Sequence, residues 1–117
     1  MRIVRRTLHG LPLSAGRILT PIKVVFSWCD AEPYAVYAEF HSRKITCWPF
    51  DRDILIAGLD APAGIGDYTL IPDLDYPYAR VELILSSDSG HATVVLPTPG
   101  LRSFLAATSA VEPAERA

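Results

Sequence analysis

The stretch Lys44-Ile45-Thr46-Cys47-Trp48-Pro49-Phe50-Asp51-Arg52-Asp53-Ile54-Leu55-Ile56-Ala57-Gly58-Leu59 changes period in its middle. Its first part reads as a strand from Lys44 to Phe50, rich in β-branched and aromatic residues. Pro49 has no amide proton, so it belongs at the end of that strand or on a sheet edge. Asp51 is placed to cap a helix running to about Ala57. Asp53 stands in the first turn, where a carboxylate meets the positive end of the helix dipole. Gly58 then follows the helix end.

Three strands precede this stretch. Arg2 to Leu8 forms an amphipathic first strand. Its alternative reading is a signal peptide over Met1 to Ser14; the strand is preferred because the apolar part is short and broken by His9, Gly10 and Pro12. Residues 10–21 hold Gly10, Pro12, Gly16 and Pro21 and read as a long turn. Ile22 to Trp28 puts Ile22, Val24, Phe26 and Trp28 on one face. Tyr34 to His41 does the same with Tyr34, Val36, Ala38 and Phe40.

Beyond a connection through Pro62, Gly64 and Gly66, strands are expected at Tyr68–Ile71, Arg80–Leu85 and Ala92–Leu96. Asp88-Ser89-Gly90 turns between the last two. Thr98 is placed to cap a second helix, with Pro99 at its first position. Leu101, Phe104, Leu105 and Thr108 share one face of it. The order is strands, helix, strands, helix, and runs of consecutive strands favour antiparallel meanders. The expected class is α+β, built as two similar halves, each a small antiparallel sheet closed by a helix. The chain of 117 residues fits one domain over 1–110. The polar segment 111–117 is expected to be a disordered tail.

Composition narrows the function. Half of the residues are apolar, and 7 glycines and 10 prolines fall mostly between apolar runs. The formal charge is −2 and the pI about 5.8, without the basic surplus of a general nucleic-acid binder. No apolar run is long enough to span a bilayer, so direct membrane insertion is not expected. Cys29 and Cys47 are too few for a disulfide framework or a zinc site. In a meander they would stand two strands apart, roughly 9.5 Å at about 4.8 Å a strand, beyond disulfide reach. Both are read as small buried or half-buried residues of a reduced, cytoplasmic protein.

Catalytic patterns are weak. Gly64-Ile65-Gly66-Asp67 lacks the strand before it and the helix after it that a dinucleotide loop needs, and reads as a turn with positive φ. His9, His41 and His91 show no ligand spacing. Asp51 and Asp53 are explained by helix capping, with Arg52 as a charge partner. Ser86, Ser87 and Ser89 lack a nucleophile elbow. No enzyme, cofactor or metal is therefore expected. Tyr34, Tyr37, Trp48, Tyr76 and Tyr78 read as core or interface residues, with base stacking as the alternative. The acidic, aromatic loop of Asp73, Asp75, Tyr76, Pro77 and Tyr78 is the best sequence candidate for docking a partner, against the plainer reading of a solvated hairpin connection.

Several motifs, in order, resemble the SsgA-like family of actinobacterial sporulation and cell-division proteins. Asp30-Ala31-Glu32-Pro33-Tyr34-Ala35-Val36 is similar to a family segment that opens a strand. Trp48, Phe50, Arg52, Asp53, Gly58 and Leu59 match its most characteristic stretch. Pro62, Gly64, Gly66, Asp67 and Pro72 keep the spacing of the next motif. Leu85-Ser86-Ser87, Gly90, Pro97, Leu101 and Ser103-Phe104-Leu105 match its C-terminal part. The resemblance covers roughly residues 22–108. It implies a fold similar to the whirly single-stranded nucleic-acid-binding proteins, a trimer, and a role in siting or building division septa. It implies partners such as the tubulin-like GTPase FtsZ or other SsgA-like proteins, and recruitment from the cytoplasm to the septum. A single-stranded nucleic-acid-binding module is the alternative, on fold analogy alone. The acidic balance argues for the first reading: single-stranded DNA is expected to bind no tighter than the non-specific range, Kd about 10⁻⁴–10⁻⁶ M at physiological salt. An anisotropy titration checks this.

Overall fold

A computed structural model describes residues 1–74, 79–88 and 90–109. The strands are β1 (Ile3–Ser14), β2 (Arg17–Ile18), β3 (Ile22–Cys29), β4 (Ala35–His41), β5 (Ile45–Asp51), β6 (Ala63–Ile65), β7 (Tyr68–Asp73), β8 (Arg80–Ser87) and β9 (Gly90–Pro97). The helices are α1 (Arg52–Ala57), after β5, and α2 (Thr98–Ser109), after β9. The order of strands, helix, strands, helix is as the sequence implies. The expected disordered tail lies outside the described residues.

The strands form one sheet in the order β5-β4-β3-β1-β9-β8-β7-β6, with β2 paired to β1 and every pairing antiparallel. The two expected small sheets are thus fused, and β1 is the joint. Ile3 to Gly10 pair with β3, and Leu11 to Leu13 pair with β9. The stretch read as a long turn from residue 10 is therefore strand as far as Ser14. Two features permit it. A Cβ on Gly10 would lie 2.6 Å from Val94 and 2.9 Å from Val24, so only glycine lets the two halves close on the joint. The Pro12 carbonyl accepts from Leu19 N–H at 2.8 Å, so the missing Pro12 amide faces β2 rather than the β9 ladder. The turn itself is the tight Ala15-Gly16, both with positive φ.

One core fills the concave side: Val4 and Leu8 of β1, Val24, Phe26 and Trp28 of β3, Val36, Ala38 and Phe40 of β4, Phe50 of β5, and the facing residues of β7 to β9. Tyr34, expected on the β4 inner face, precedes that strand and is 74% exposed. The helices do not close one half each. α2 lies over the joint, touching β1, β3, β8 and β9, while α1 bridges β5 and β6 near the two ends of the sheet. Phe104 of α2 is fully buried, with its ring 5.6 Å from Phe26.

Local signals have mixed outcomes. Asp51 caps α1 as expected, Oδ1 accepting from Asp53 N–H at 2.9 Å and Ile54 N–H at 3.3 Å. Gly58 ends α1 with right-handed φ, so the backbone does not require glycine; space does, because a Cβ would stand 2.7 Å from Leu70 Cβ. Thr98 does not act as the cap of α2. It is the first helical residue, its N–H donates to the Ala79 carbonyl, and its buried hydroxyl has no hydrogen-bond partner among the described residues. Cys47 is exposed rather than buried, because β5 is an edge strand and Cys47 faces outward.

Pro49 sits on that edge as the sequence requires. Arg52 N–H donates to Tyr34 C=O, so by the alternation of a ladder the even-numbered residues of β5 bond to β4. Pro49 is odd, and its missing amide faces the free edge, where it discourages pairing with another strand. Phe104→Ala is expected to cost about 3–5 kcal/mol, as a large-to-small change in a fully buried position. Denaturant melts beside the conservative Phe104→Leu, which should cost less, check the assignment.

Candidate partner-binding surface

The matched motif residues assemble mainly into a frame at one end of the molecule. Trp28 Nε1 donates to the Pro33 carbonyl at 2.9 Å, and the neighbouring Tyr34 carbonyl takes the Arg52 amide. Phe50 packs edge-on against Tyr68 at 4.8 Å, and half-buried Trp48 lies against the core. Arg52 does more than its expected pairing with Asp53. It forms the expected ion pair with Asp53 at 4.0 Å, while its Nε donates to Thr108 Oγ1 at 2.7 Å and its Nη2 to Ser109 Oγ at 2.9 Å. Arg2 arrives from the other side, its Nη2 donating to the Ala107 carbonyl at 2.8 Å and its guanidinium lying 6.0 Å from the Trp28 ring. Two guanidinium groups therefore meet the negative end of α2. Leu59, Phe104 and Leu105 are core. Gly66 has the positive φ its turn needs, whereas Gly64 is glycine because a Cβ would strike the Tyr68 carbonyl at 2.6 Å.

The remaining sequence candidates scatter. Trp48 pairs with Ala38 on the inner face, while Tyr37 pairs with Pro49 on the outer one and donates to Glu32 at 3.3 Å. The Glu32 carboxylate holds the Tyr37 hydroxyl above its ordinary pKa. His9 and His41 stand either side of Lys23 in one row, and His41 contacts Glu39 at 3.2 Å. His91 shares a hydrogen bond with Ser86 at 2.8 Å. Of the docking loop, Asp73 ends β7 and pairs with Arg80 Nε at 3.4 Å. Asp75, Tyr76 and Tyr78 lie outside the described residues.

Sequence reasoning missed the concavity beside that ion pair. A groove of about 490 Å3 is lined by His9, Leu11, Ala79, Arg80, Val95, Leu96, Pro97 and Pro99. It opens on the convex side of the sheet, where Leu11, Val95, Glu82 and Ile71 form one cross-strand row and Leu13, Thr93, Ile84 and Thr69 the next. Val95 is buried from this side, outside the main core. The available signal was the unbroken run Val94-Val95-Leu96, which does not alternate as a one-faced strand should. Leu11 was hidden in the segment read as turn. A groove with aliphatic walls and two polar groups, His9 and Arg80, suits a side chain or segment of another protein better than reaction chemistry.

The family described as Streptomyces sporulation and cell division protein, SsgA, matches residues 22–116. The chain belongs to the SsgA family. It is 35% identical over 115 residues to the sporulation-specific cell division protein SsgB of Streptomyces coelicolor, covering 97% of this chain and 77% of that protein. It is 40% identical over 87 residues to SsgB of Saccharopolyspora erythraea, covering 73% of this chain and 61% of the relative. Among solved structures, an SsgB studied for mutations that correlate to longitudinal cell division during sporulation of Streptomyces coelicolor superposes with a TM-score of 0.86 at 35% identity, covering 94% of this chain and 86% of the other. The SsgA-like sporulation-specific cell division protein of Thermobifida fusca gives 0.87 at 26% identity, covering 97% and 84%. These relatives are sporulation-specific division proteins, which places this SsgA-family chain in sporulation and cell division. No helix among the described residues is long and apolar enough to cross a membrane.

Within the frame, Tyr68 gives a test. Its hydroxyl accepts from the Asp51 amide at 2.8 Å, joining the end of β5 to β7. Burial raises its pKa above the ordinary value, outweighing the opposing effect of that hydrogen bond. The folded state thus holds this proton more tightly than the unfolded chain. The associated stability is complete below about pH 10 and falls as pH rises through the folded value. Tyr68→Phe is expected to cost about 0.5–1.5 kcal/mol at neutral pH and to flatten part of the alkaline decline. Melts of both proteins in stepped alkaline buffers measure this.

Proposed function

We propose that this SsgA-family protein is a non-enzymatic adaptor that helps site or build division septa by binding division proteins, FtsZ or another SsgA-like protein. In this reading it works in the cytoplasm and is recruited to the septum, as the family resemblance implies. The observation that carries the adaptor reading is the aliphatic groove of Leu11 and Val95 on the convex face, set beside the Asp73–Arg80 pair where the sequence marks an acidic, aromatic loop. Apolar anchors ringed by charged groups are what interface hot spots use. The same convex face offers Ile71 at 38% exposure, which subunit contact would cover in a closed homo-oligomer. A trimer follows from the resemblance, as does the likeness to the whirly architecture.

A pull-down of the division machinery, run beside a thermal melt of every variant, tests the adaptor role. Wild type is expected to capture a division protein. Leu11→Asp, which puts a carboxylate into the groove wall, is expected to weaken capture at least tenfold with a near-normal melt. Tyr76→Ala combined with Tyr78→Ala is expected to weaken it too. Full capture by both variants refutes the surface, and no capture by wild type together with normal septation in a deletion strain refutes the function. Light scattering at micromolar concentration should give an oligomeric mass, and a monomer contradicts the assembly.

A further inference from the structure

The charges of this acidic chain are segregated along its sequence. Residues 1–29 and 40–50 contain no Asp or Glu, yet they hold Arg2, Arg5, Arg6, Arg17, Lys23, Arg43 and Lys44. The fold brings four of these to one end of the first half of the sheet. β1 pairs with β3 through His9–Lys23, β3 with β4 through Lys23–His41, and β4 with β5 through His41–Ile45. The middle of β1 at His9, the start of β3, the end of β4 and the start of β5 therefore lie together, and Arg43 and Lys44 occupy the turn that projects from them. β2 extends further in the same direction, pairing Arg17 and Ile18 with Ser14 and Leu13, five and four residues beyond His9.

Exposed aliphatics sit among the cations: Ile18 at 56%, Leu19 at 49% and Ile45 at 61%. Ile18 and Leu19 follow β1 on its β3 side, two strands from β5, so Ile45 stands roughly 10 Å away across the sheet at about 4.8 Å a strand and roughly 10–13 Å away along it at about 3.3 Å a residue. Glu39, the carboxylate nearest along these strands, is engaged by Arg5 at 3.6 Å and by His41. Asp67 and Asp88 reach the same end only on turns of the other half, beyond β1 and β9.

We propose that this end is a peripheral docking surface for an anionic phospholipid bilayer. Cations around projecting aliphatic tips suit a planar interface whose headgroups are negative and whose first layer below is apolar. Arg17, Lys23, Arg43 and Lys44 face the headgroups while Ile18, Leu19 and Ile45 enter the boundary beneath them. Nucleic acid fits less well, because the exposed apolar residues at this end are aliphatic and offer no ring for a base. The contact requires no membrane span and does not depend on the adaptor reading, whose pull-down contains no lipid.

The test is co-sedimentation of the full chain with vesicles of phosphatidylcholine alone and of phosphatidylcholine mixed with phosphatidylglycerol. Binding is expected on the anionic vesicles, falling as salt is raised, and not on the neutral ones. Arg43→Glu with Lys44→Glu lies in an exposed turn and should weaken binding by more than tenfold, at about fivefold for each positive charge lost. Ile18→Ser with Leu19→Ser should weaken it by a comparable factor, with unchanged circular dichroism for both variants. Equal binding to both vesicle types, or none to either, overturns the proposal. So does loss with the glutamate pair but not with the serine pair, which would mark a site for polyanions in general. Tighter binding of single-stranded DNA than of anionic vesicles, lost with the same glutamate pair, overturns it in favour of nucleic acid.

Discussion

β1 is too long for either of its neighbours. Its first eight residues pair with β3 and its next three with β9, so the strand leaves one partner and takes the other between Gly10 and Leu11. That exchange makes one sheet out of two meanders, and it depends on the absence of a Cβ at Gly10. Val24 and Val94 close over that position from opposite halves. With any larger residue there, one valine must move, and both belong to the core that α2 covers. The position of α2 follows, since the helix lies across the line where the halves meet, with Phe104 against Phe26 of one half and Leu101 and Leu105 buried beside it.

A second closure holds the far ends of the sheet. β5 would be a free edge along its whole length, but its last outward amide, on Asp51, is taken by the Tyr68 hydroxyl from β7, and Phe50 packs edge-on against the same ring. α1 can then begin at once, because the Asp51 carboxylate caps it. Arg52, the next residue, reaches back to the end of α2, where Arg2 also arrives. Strand edge, helix start and helix end are thus tied in a few consecutive residues. An isolated surface arginine contributes little. Here Arg52 is mostly buried and bonds two hydroxyl groups, so its contribution is geometric: it fixes the angle between the helices.

These constraints explain what could be read from the chain. Alternation gave the inner faces of β3 and β4, although Val25 on the outer face of β3 is buried as well. The Asp51 cap and the edge placement of Pro49 were legible because their causes are local: one carboxylate above two amides, and one missing proton. What escaped had non-local causes. Nothing near Gly10 in sequence says that Val94 will press on it, so a Gly-Pro stretch read as turn. Gly58 was legible as a helix end, but the reason for glycine is Leu70, twelve residues on. Thr98 looked like a cap by residue type, yet Pro97 and the Ala79 carbonyl set the start of α2 and turned its hydroxyl inward. The groove escaped for the same reason, since Leu11, Arg80 and Val95 are neighbours only once β1 has changed partners.

The family motifs themselves now have a physical meaning that bears on function. Phe50, Arg52, Gly58, Leu59, Phe104 and Leu105 are caps, ties and core, so a matching motif set identifies the frame and leaves the binding surface open. On the convex face, Leu11, Ile71 and Ile84 lie outside the main core. Among the described residues, the groove beside Asp73 and Arg80 and the basic end around Arg43 and Lys44 both lie on or beside that face, in different halves of the sheet. They meet at His9, which lines the groove and pairs with Lys23 of the basic end. β1 passes through Gly10 as one strand that pairs on either side, so both surfaces are carried by a single continuous sheet, and under the proposed adaptor role a contact at either would orient the other.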